Sequence, residues 1–180
     1  MALASSDLET KNNKTKAKRN MKTVIKKVLY LQMAALLLTA VLAGPAASGK
    51  SVPFKGSIQG VEIADVQFPS VFVDGSGSGN ATHLGRFRLI YELEVNLLTL
   101  PFETFGSSLF KAANGDSLST DIIGRGTPTE DPDVLSVVEV HTITGGTGRF
   151  AGATGSFIRK YSLDRVTGAT SGSFDGAISY

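Results

Sequence analysis

The chain has 180 residues, no cysteine, and 18 Lys+Arg against 16 Asp+Glu. The lack of cysteine excludes disulfides, thiol chemistry and a thiol-linked lipid anchor. Eight of the basic and two of the acidic residues fall within residues 1–43, which leaves ten basic and fourteen acidic residues, a net charge of −4, for the remainder. No nucleic-acid-binding surface is therefore predicted for the folded part.

The leader has the three parts of a secretory signal. A cationic segment, Met21–Lys27, precedes the apolar run Val28–Ala43, and small residues follow. Cleavage is predicted after one of three alanines: Ala43, Ala46 or Ala47. An uncleaved anchor is the alternative, although the apolar run is shorter than the roughly 20 residues that cross a bilayer. We predict a signal peptide over residues 21–47 and export to the periplasm or the extracellular space, with membrane contact only through an uncleaved leader.

Two start codons are compatible with this leader. Met21 begins a compact signal by itself, whereas a start at Met1 adds a polar extension over residues 1–20, predicted to be disordered.

Strand patterns dominate the rest of the chain. Residues 52–58 and 68–74 predict weak strands, and "DGSGSGNAT", Asp74–Thr82, predicts a flexible loop. Residues 86–96 alternate strictly between apolar and polar side chains, which indicates a strand with one buried face. No window after Gly44 keeps a helical apolar pattern for three turns.

The second half continues in the same way. Weak strands over residues 107–113 and 116–124 flank Asn114-Gly115, a pair that suits a type I′ hairpin turn. An exposed loop is predicted over Gly124–Asp133. Three further strands are predicted at residues 134–144, 156–163 and 171–180. About eight short strands joined by glycine-rich turns predict one all-β domain over residues 48–180, either a sandwich or a barrel. We expect a closed antiparallel barrel, because closure removes the exposed edges.

The stretch Thr142–Gly155 has the spacing of a loosened dinucleotide-binding motif, but the helix that such a motif requires is missing. A P-loop is also excluded, because no Gly-Lys-Ser/Thr follows. The turn is therefore predicted to be structural, with glycines that allow positive φ or a bulge: Gly145, Gly146, Gly148, Gly152 and Gly155. Phe150 is expected to point into the core, and Arg149 to lie in solvent or pair with a carboxylate.

Three segments also carry a family resemblance: "ATHLGRF" (81–87), "AANGD" (112–116) and "ITGGTGRFAGATGSF" (143–157). Together they resemble a group of bacterial exported proteins of uncharacterised function. More distantly, "GGTGRF" (145–150) is similar to a turn of plant dirigent proteins, relatives of allene oxide cyclase. That resemblance implies an eight-stranded antiparallel barrel with an internal cavity, often trimeric. It covers the turn and no catalytic position, so it implies no catalytic residue here.

Few residues are candidates for chemistry. The two histidines, His83 and His141, lack the spacing of a metal site, and no cofactor or metal is predicted. Glu139 and His141 share one strand face, which a barrel turns toward its lumen or toward a subunit interface. They are weak candidates for general acid and base, or for ligand contacts; a structural ion pair or an outward face is the alternative. Burial is expected to raise the pKa of Glu139 and to lower that of His141, while their mutual attraction is expected to oppose both shifts.

Three other positions have a structural and a functional interpretation. Tyr91 is predicted to be a core residue first and a ligand-lining residue second. Arg159 is either a lumen cation or, as we expect, a charge at the barrel rim. His83 is predicted to position the start of a strand together with Thr82, with ligand contact as the alternative.

Three functions are compatible with this sequence. We expect a protein that binds a small apolar ligand or acts as an interaction module, with a homo-oligomer, a trimer by resemblance, as a further expectation. An isomerase or cyclase with a polar pair in an apolar lumen is the first alternative. A structural surface protein with a filled core is the second. A cavity of several hundred Å³ lined by Glu139 or His141 would favour the first two.

Overall fold

The computed structural model describes residues 49–180. The predicted extension, the signal segment and the cleavage positions Ala43, Ala46 and Ala47 lie outside this range. The strands are β1 (Val52–Gln67), β2 (Ser70–Ala81), β3 (Gly85–Asn96), β4 (Phe102–Ala112), β5 (Ser117–Pro128), β6 (Val134–Gly146), β7 (Thr154–Asp164) and β8 (Ala169–Ser179), with one short 3-10 turn at Gly148–Phe150. Over the same residues, no helix has the length and apolar character needed to cross a membrane.

The eight strands form one closed antiparallel barrel, as predicted. Each strand pairs with the next along the chain, and β8 closes the sheet against β1. Side chains alternate between lumen and solvent, as the period of a strand requires. In β3, for example, Phe87, Leu89 and Tyr91 are buried, whereas Arg86 and Arg88 are exposed.

Strand β2 contradicts the prediction of a flexible loop at Asp74–Thr82. The segment pairs on both sides, with β1 and with β3, and its register sets Gly75 opposite Tyr91 and Gly79 opposite Phe87. A Cβ atom at Gly75 would overlap the Tyr91 ring, and one at Gly79 would lie 2.7 Å from Phe87 Cζ. These glycines therefore leave room for the aromatic rings of β3 and do not loosen the chain.

Two turns also differ from the sequence predictions. The hairpin between β4 and β5 is present, but it is not type I′, because Gly115 has φ of 94° and Asn114 does not have a positive φ. The Asn114 side chain instead donates a hydrogen bond to Asp116 at 2.8 Å. The loop predicted over Gly124–Asp133 is shorter, since β5 continues to Pro128.

The turn at Thr142–Gly155 is a corner between β6 and β7. A 3-10 turn of three residues, Gly148–Phe150, stands where a nucleotide-binding helix would begin. Positive φ occurs at four of the five predicted glycines: Gly145, Gly148, Gly152 and Gly155. Gly146 has a steric reason instead, because a Cβ there would overlap the Ser117 carbonyl oxygen. Phe150 is fully buried, and Arg149 lies 3.5 Å from Asp116.

Aromatic side chains fill one half of the lumen. Five phenylalanines, whose neighbouring rings lie 5.0–6.2 Å apart, form this cluster: Phe54, Phe87, Phe110, Phe157 and Phe174. They lie toward the end of the barrel where both chain termini of the domain and the β6–β7 corner are found. The other end, reached by the loops β1–β2, β3–β4, β5–β6 and β7–β8, is open and is called the mouth.

Candidate functional site

The mouth holds a cavity of about 520 Å³. Its walls come from all the strands except β8, with Phe102 from β4 and Gly126 from β5. They are mainly aliphatic and include these side chains: Val66, Val71, Val73, Leu93, Val95, Leu97, Leu135, Val137 and Leu163. Five polar residues also line it: Glu62, Thr104, Tyr161, Arg165 and Thr167. The Thr104 hydroxyl is buried without a hydrogen-bond partner. Apolar walls with a few polar groups are typical of small-molecule sites.

Exposed apolar side chains surround the entrance. Val66 and Phe68 lie on the β1–β2 hairpin, Leu98 and Leu100 on the β3–β4 loop, and Val166 on the β7–β8 loop. Three separate loops thus place large apolar groups in solvent beside an apolar cavity. Such grouping exceeds the scattered exposed side chains of an ordinary surface.

Glu62 is the acidic group of the cavity. Its Oε1 lies 2.8 Å from the Tyr91 hydroxyl and 3.1 Å from the Tyr161 hydroxyl. Burial raises the pKa of Glu62, and the two tyrosine hydrogen bonds oppose that shift without cancelling it. Burial also raises the pKa of both tyrosines, so their hydroxyls stay protonated.

The Tyr161 hydroxyl connects Glu62 to a second carboxylate, Glu139, whose Oε1 lies 2.9 Å away. One hydroxyl has a single proton and can donate it to only one of the two carboxyl groups. The other contact is satisfied when Glu62 is protonated and donates to the tyrosine oxygen. The raised pKa of Glu62 agrees with that arrangement.

Glu139 is the ionised member of the cluster. Burial by itself raises its pKa, but the hydrogen bond from His141 and the charge of Arg159 outweigh burial, so the pKa is lowered. The sequence predicted the opposition between burial and the attraction of His141, but it did not indicate Arg159, whose charge adds to the lowering. Arg159 Nη1 and His141 Nε2 each lie 3.2 Å from Glu139 Oε2.

Arg159 lies inside the barrel and not at the rim as expected. It is directly opposite Glu139 in the β6–β7 register, and it is only 1% exposed. Its guanidinium lies 3.9 Å from the centre of the Tyr161 ring and 4.9 Å from that of Tyr91. Ring contacts and one carboxylate thus compensate for its burial, although Nε has no hydrogen-bond partner.

His141 is held neutral. Burial lowers its pKa as predicted, and the hydrogen bond and charge of Glu139 oppose the shift without reversing it. Its Nδ1 lies 2.9 Å from the Thr120 hydroxyl, which lies 2.7 Å from the Ser108 hydroxyl. With Nε2–H donating to Glu139, Nδ1 accepts from Thr120, so one tautomer satisfies both contacts. The ring also stacks on Phe157.

The structure brings the four ligand-lining candidates together, but below the cavity. Tyr91, Glu139, His141 and Arg159 are all buried in the lumen, and none of them contributes to the cavity wall. The groups that do reach the cavity are Glu62 and Tyr161. Sequence reasoning missed both in that role.

A weak signal for Glu62 was present in the sequence. Ile58, Gly60 and Glu62 share one strand face, so the buried position of Ile58 places Glu62 inward as well. Val61 and Ile63, the neighbours of Glu62, are apolar but exposed. The apolar and polar residues therefore do not alternate here as the buried and exposed positions do, and the sequence pattern points Glu62 outward.

The remaining histidine has a structural environment. His83 has φ of 64° in the β2–β3 turn, and its Nδ1 lies 3.1 Å from the Tyr180 hydroxyl. The neighbouring Thr82 hydroxyl accepts from the Lys55 N–H and donates to the Pro53 carbonyl, both at 3.0 Å. No group of three or more metal-ligating side chains occurs within residues 49–180.

Fold and cavity together define a closed antiparallel barrel of eight strands with one apolar mouth. Among solved structures, a pterocarpan synthase dirigent protein has a similar fold. The TM-score is 0.50 at 15% sequence identity, over 79% of this chain and 95% of that one. The distant dirigent-like resemblance is thereby confirmed for the fold. No protein-family model matches the chain, and no curated protein gives a significant match. The resemblance to bacterial exported proteins stays a prediction.

Proposed function

We propose that this chain is an exported barrel that binds a small, largely apolar molecule in its mouth. The observation that supports the proposal is the apolar cavity of about 520 Å³ with Glu62 and Tyr161 in its wall. A ligand with an apolar body and one oxygen fits this distribution: aliphatic walls bury the body, and the Thr104 hydroxyl, which is buried without a hydrogen-bond partner, can donate to the oxygen.

Filling part of the cavity should weaken ligand binding. Val71 lies in the cavity wall and is partly buried. We expect Val71→Phe to weaken binding of N-phenyl-1-naphthylamine, a neutral dye that fluoresces in apolar sites, by about tenfold. The chain has no tryptophan, so its own fluorescence interferes little.

The matched control for this variant is Val52→Phe. Val52 is also partly buried against the core, but it does not line the cavity, so dye affinity should stay at the wild-type value. Equal losses in the two variants, or no dye binding by the wild type, would remove the mouth as the binding site.

A second candidate function is chemistry of isomerase or cyclase type. One observation favours it: a carboxyl group with a raised pKa, Glu62, lines an apolar cavity and is linked through Tyr161 to an ionised carboxylate. A proton donor of this kind can serve as a general acid. Glu139, the acid/base candidate of the sequence, would act only through Tyr161, as a positioning residue.

The raised pKa of Glu62 predicts a pH-dependent stability. At pH values between the unfolded-state and the folded-state pKa, the folded chain holds a proton that the unfolded chain releases. The stabilising contribution is present below the ordinary Glu pKa of 4.5 and is lost as pH rises through the folded-state pKa. We expect Glu62→Gln to be more stable than the wild type at about pH 8, and to lose this advantage at about pH 4, by urea denaturation. An unchanged difference across that range would contradict a raised pKa of Glu62.

The third function, a structural protein with a filled core, receives support from the phenylalanine end of the lumen. The open mouth does not fit it, because a purely structural barrel has no need for an apolar cavity or for exposed apolar loops around it.

We also propose that the chain forms a homo-oligomer through its outer wall. An outward row of four apolar side chains crosses β4 to β7: Phe105, Ile123, Val140 and Ile158, each directly opposite the next. All four are exposed, and carboxylates, Glu94 and Asp175, stand at the two ends of the row. An apolar centre with a polar border is typical of interfaces.

A charge in this row should dissociate the oligomer. We expect Ile123→Lys to reduce the mass measured by analytical ultracentrifugation to that of a monomer, because a buried unpaired lysine is costly. Val61→Lys, an exposed valine of β1 outside the row, is the control and should leave the mass unchanged. A monomeric wild type would contradict this part of the proposal.

A further inference from the structure

A shallow groove of about 1050 Å³ lies on the outside of the barrel, away from the mouth cavity. It crosses five neighbouring strands, β8, β1, β2, β3 and β4. The strand registers set five outward side chains next to one another in a single row: Ser171, Gln59, Ser78, Arg88 and Lys111. Four strand spacings of about 4.8 Å make this row roughly 19 Å long.

A second row runs parallel to the first. It sets Ser57 opposite Asn80, and Asn80 opposite Arg86. Long cationic side chains thus stand on β3 and β4, while small hydroxyl and amide side chains cover the other three strands. The single aromatic residue among the groove residues, Phe87, is buried in the lumen.

The groove concentrates positive charge in a domain that is acidic. Its lining contains Arg86, Arg88 and Lys111 and no acidic side chain, although residues 44–180 have a net charge of −4. Three other cations of the barrel form ion pairs: Lys55 with Asp175, Arg149 with Asp116 and Arg159 with Glu139. Within residues 49–180, no ion pair involves any of the three groove cations.

The placement of Arg88 lowers the stability of the sheet. Arg88 lies directly opposite Lys111, and like charges in that position repel. In the next strand pair, Arg125 of β5 lies opposite Glu103 of β4, and opposite charges in that position stabilise a sheet. An anion bound over Arg88 and Lys111 would offset the repulsion.

We propose that this groove binds a linear anionic polysaccharide. Carboxylate or sulfate groups along the polymer would pair with the three cations, and its hydroxyl groups would exchange hydrogen bonds with the serine, asparagine and glutamine side chains. Single-stranded nucleic acid fits less well, because the groove exposes no aromatic ring on which a base could stack. The inference does not rest on the mouth cavity.

The test compares two triple variants of the full chain for binding to polygalacturonate, a linear uronic acid polymer. We expect Arg86→Ser/Arg88→Ser/Lys111→Ser to reduce affinity by about tenfold or more. The control, Lys50→Ser/Arg125→Ser/Lys160→Ser, removes the same charge outside the groove and should keep most of the affinity. The cationic leader is identical in both variants, so their difference reports the groove.

Three further results distinguish the proposal from its rivals. Wild-type affinity should fall as the salt concentration rises toward about 1 M, where the Debye length is roughly 3 Å. Neutral dextran should not bind. The groove variant should unfold at the same temperature as the wild type or higher, since it loses a repulsive pair. Equal affinity of the two triple variants, a failure of the wild type to bind, equal binding of dextran, or tighter binding of polythymidylate would overturn the proposal.

Discussion

Replacing Glu139 by leucine is expected to lower the free energy of unfolding by about 3–5 kcal/mol. The change leaves Arg159 in the lumen, 1% exposed, without the carboxylate that compensates for its burial. It also removes the hydrogen-bond partner of His141 Nε2 and one of the two carboxylate contacts of Tyr161. Urea denaturation at neutral pH measures the loss.

The double variant Glu139→Leu/Arg159→Met provides the control for this prediction. Removing both charges together leaves no unpaired ion, and substitution of a buried ion pair by apolar residues is often neutral. We therefore expect the double variant to recover most of the stability that Glu139→Leu loses. If the double variant instead loses as much stability as Glu139→Leu and Arg159→Met lose in sum when measured separately, the two residues are not coupled. Arg159 would then not be the counter-ion of Glu139.

A valine at position 75 is expected to destabilise the barrel by about 3 kcal/mol or more, or to prevent folding. The new side chain would occupy the space of the Tyr91 ring, which lies across Gly75 from the neighbouring strand. Displacement of Tyr91 would also break its hydrogen bond to Glu62 and its contact with Arg159. Thermal denaturation and the yield of folded protein measure the effect.

Ser76→Val is the matched control, because Ser76 is the next residue of the same strand and points outward. Valine favours strands, so this variant should be as stable as the wild type or slightly more stable. Equal destabilisation by both valines would mean that β2 tolerates no branched side chain at all, and would contradict the specific role of Gly75.

Much of the fold could be predicted from local patterns. The alternation in β3 and the glycine-rich turns predicted about eight strands in a sandwich or a barrel, and the need to protect sheet edges favoured the closed barrel that the structure has. The second half of β2, beyond the weak strand predicted at residues 68–74, was missed because its inward glycines are explained by neighbours on other strands. These neighbours are the Tyr91 ring for Gly75 and the Ser57 carbonyl oxygen for Gly79. That information is tertiary and does not appear in the local sequence.

The candidate site was predicted in part. The pairing of Glu139 with His141 follows from their spacing of two on one strand, and the structure brings them within 3.2 Å. The partnership of Glu139 with Arg159 depends on the register of β6 with β7, which local patterns do not specify. Tyr91, Glu139, His141 and Arg159 lie outside the cavity wall because of where side chains fill the lumen. The phenylalanines that fill it come from five strands, β1, β3, β4, β7 and β8, so no single stretch of sequence indicates the filled half.

The most direct test is a methyl NMR spectrum of the labelled chain, recorded while N-phenyl-1-naphthylamine is added. If the mouth binds apolar molecules, the methyl signals of Val73, Leu93 and Val137 should shift with saturation, and those of Leu118 and Ile178 at the closed end should stay in place. Shifts confined to the outward methyls of Ile123 and Val140, or no shifts at all, would contradict a binding site in the mouth.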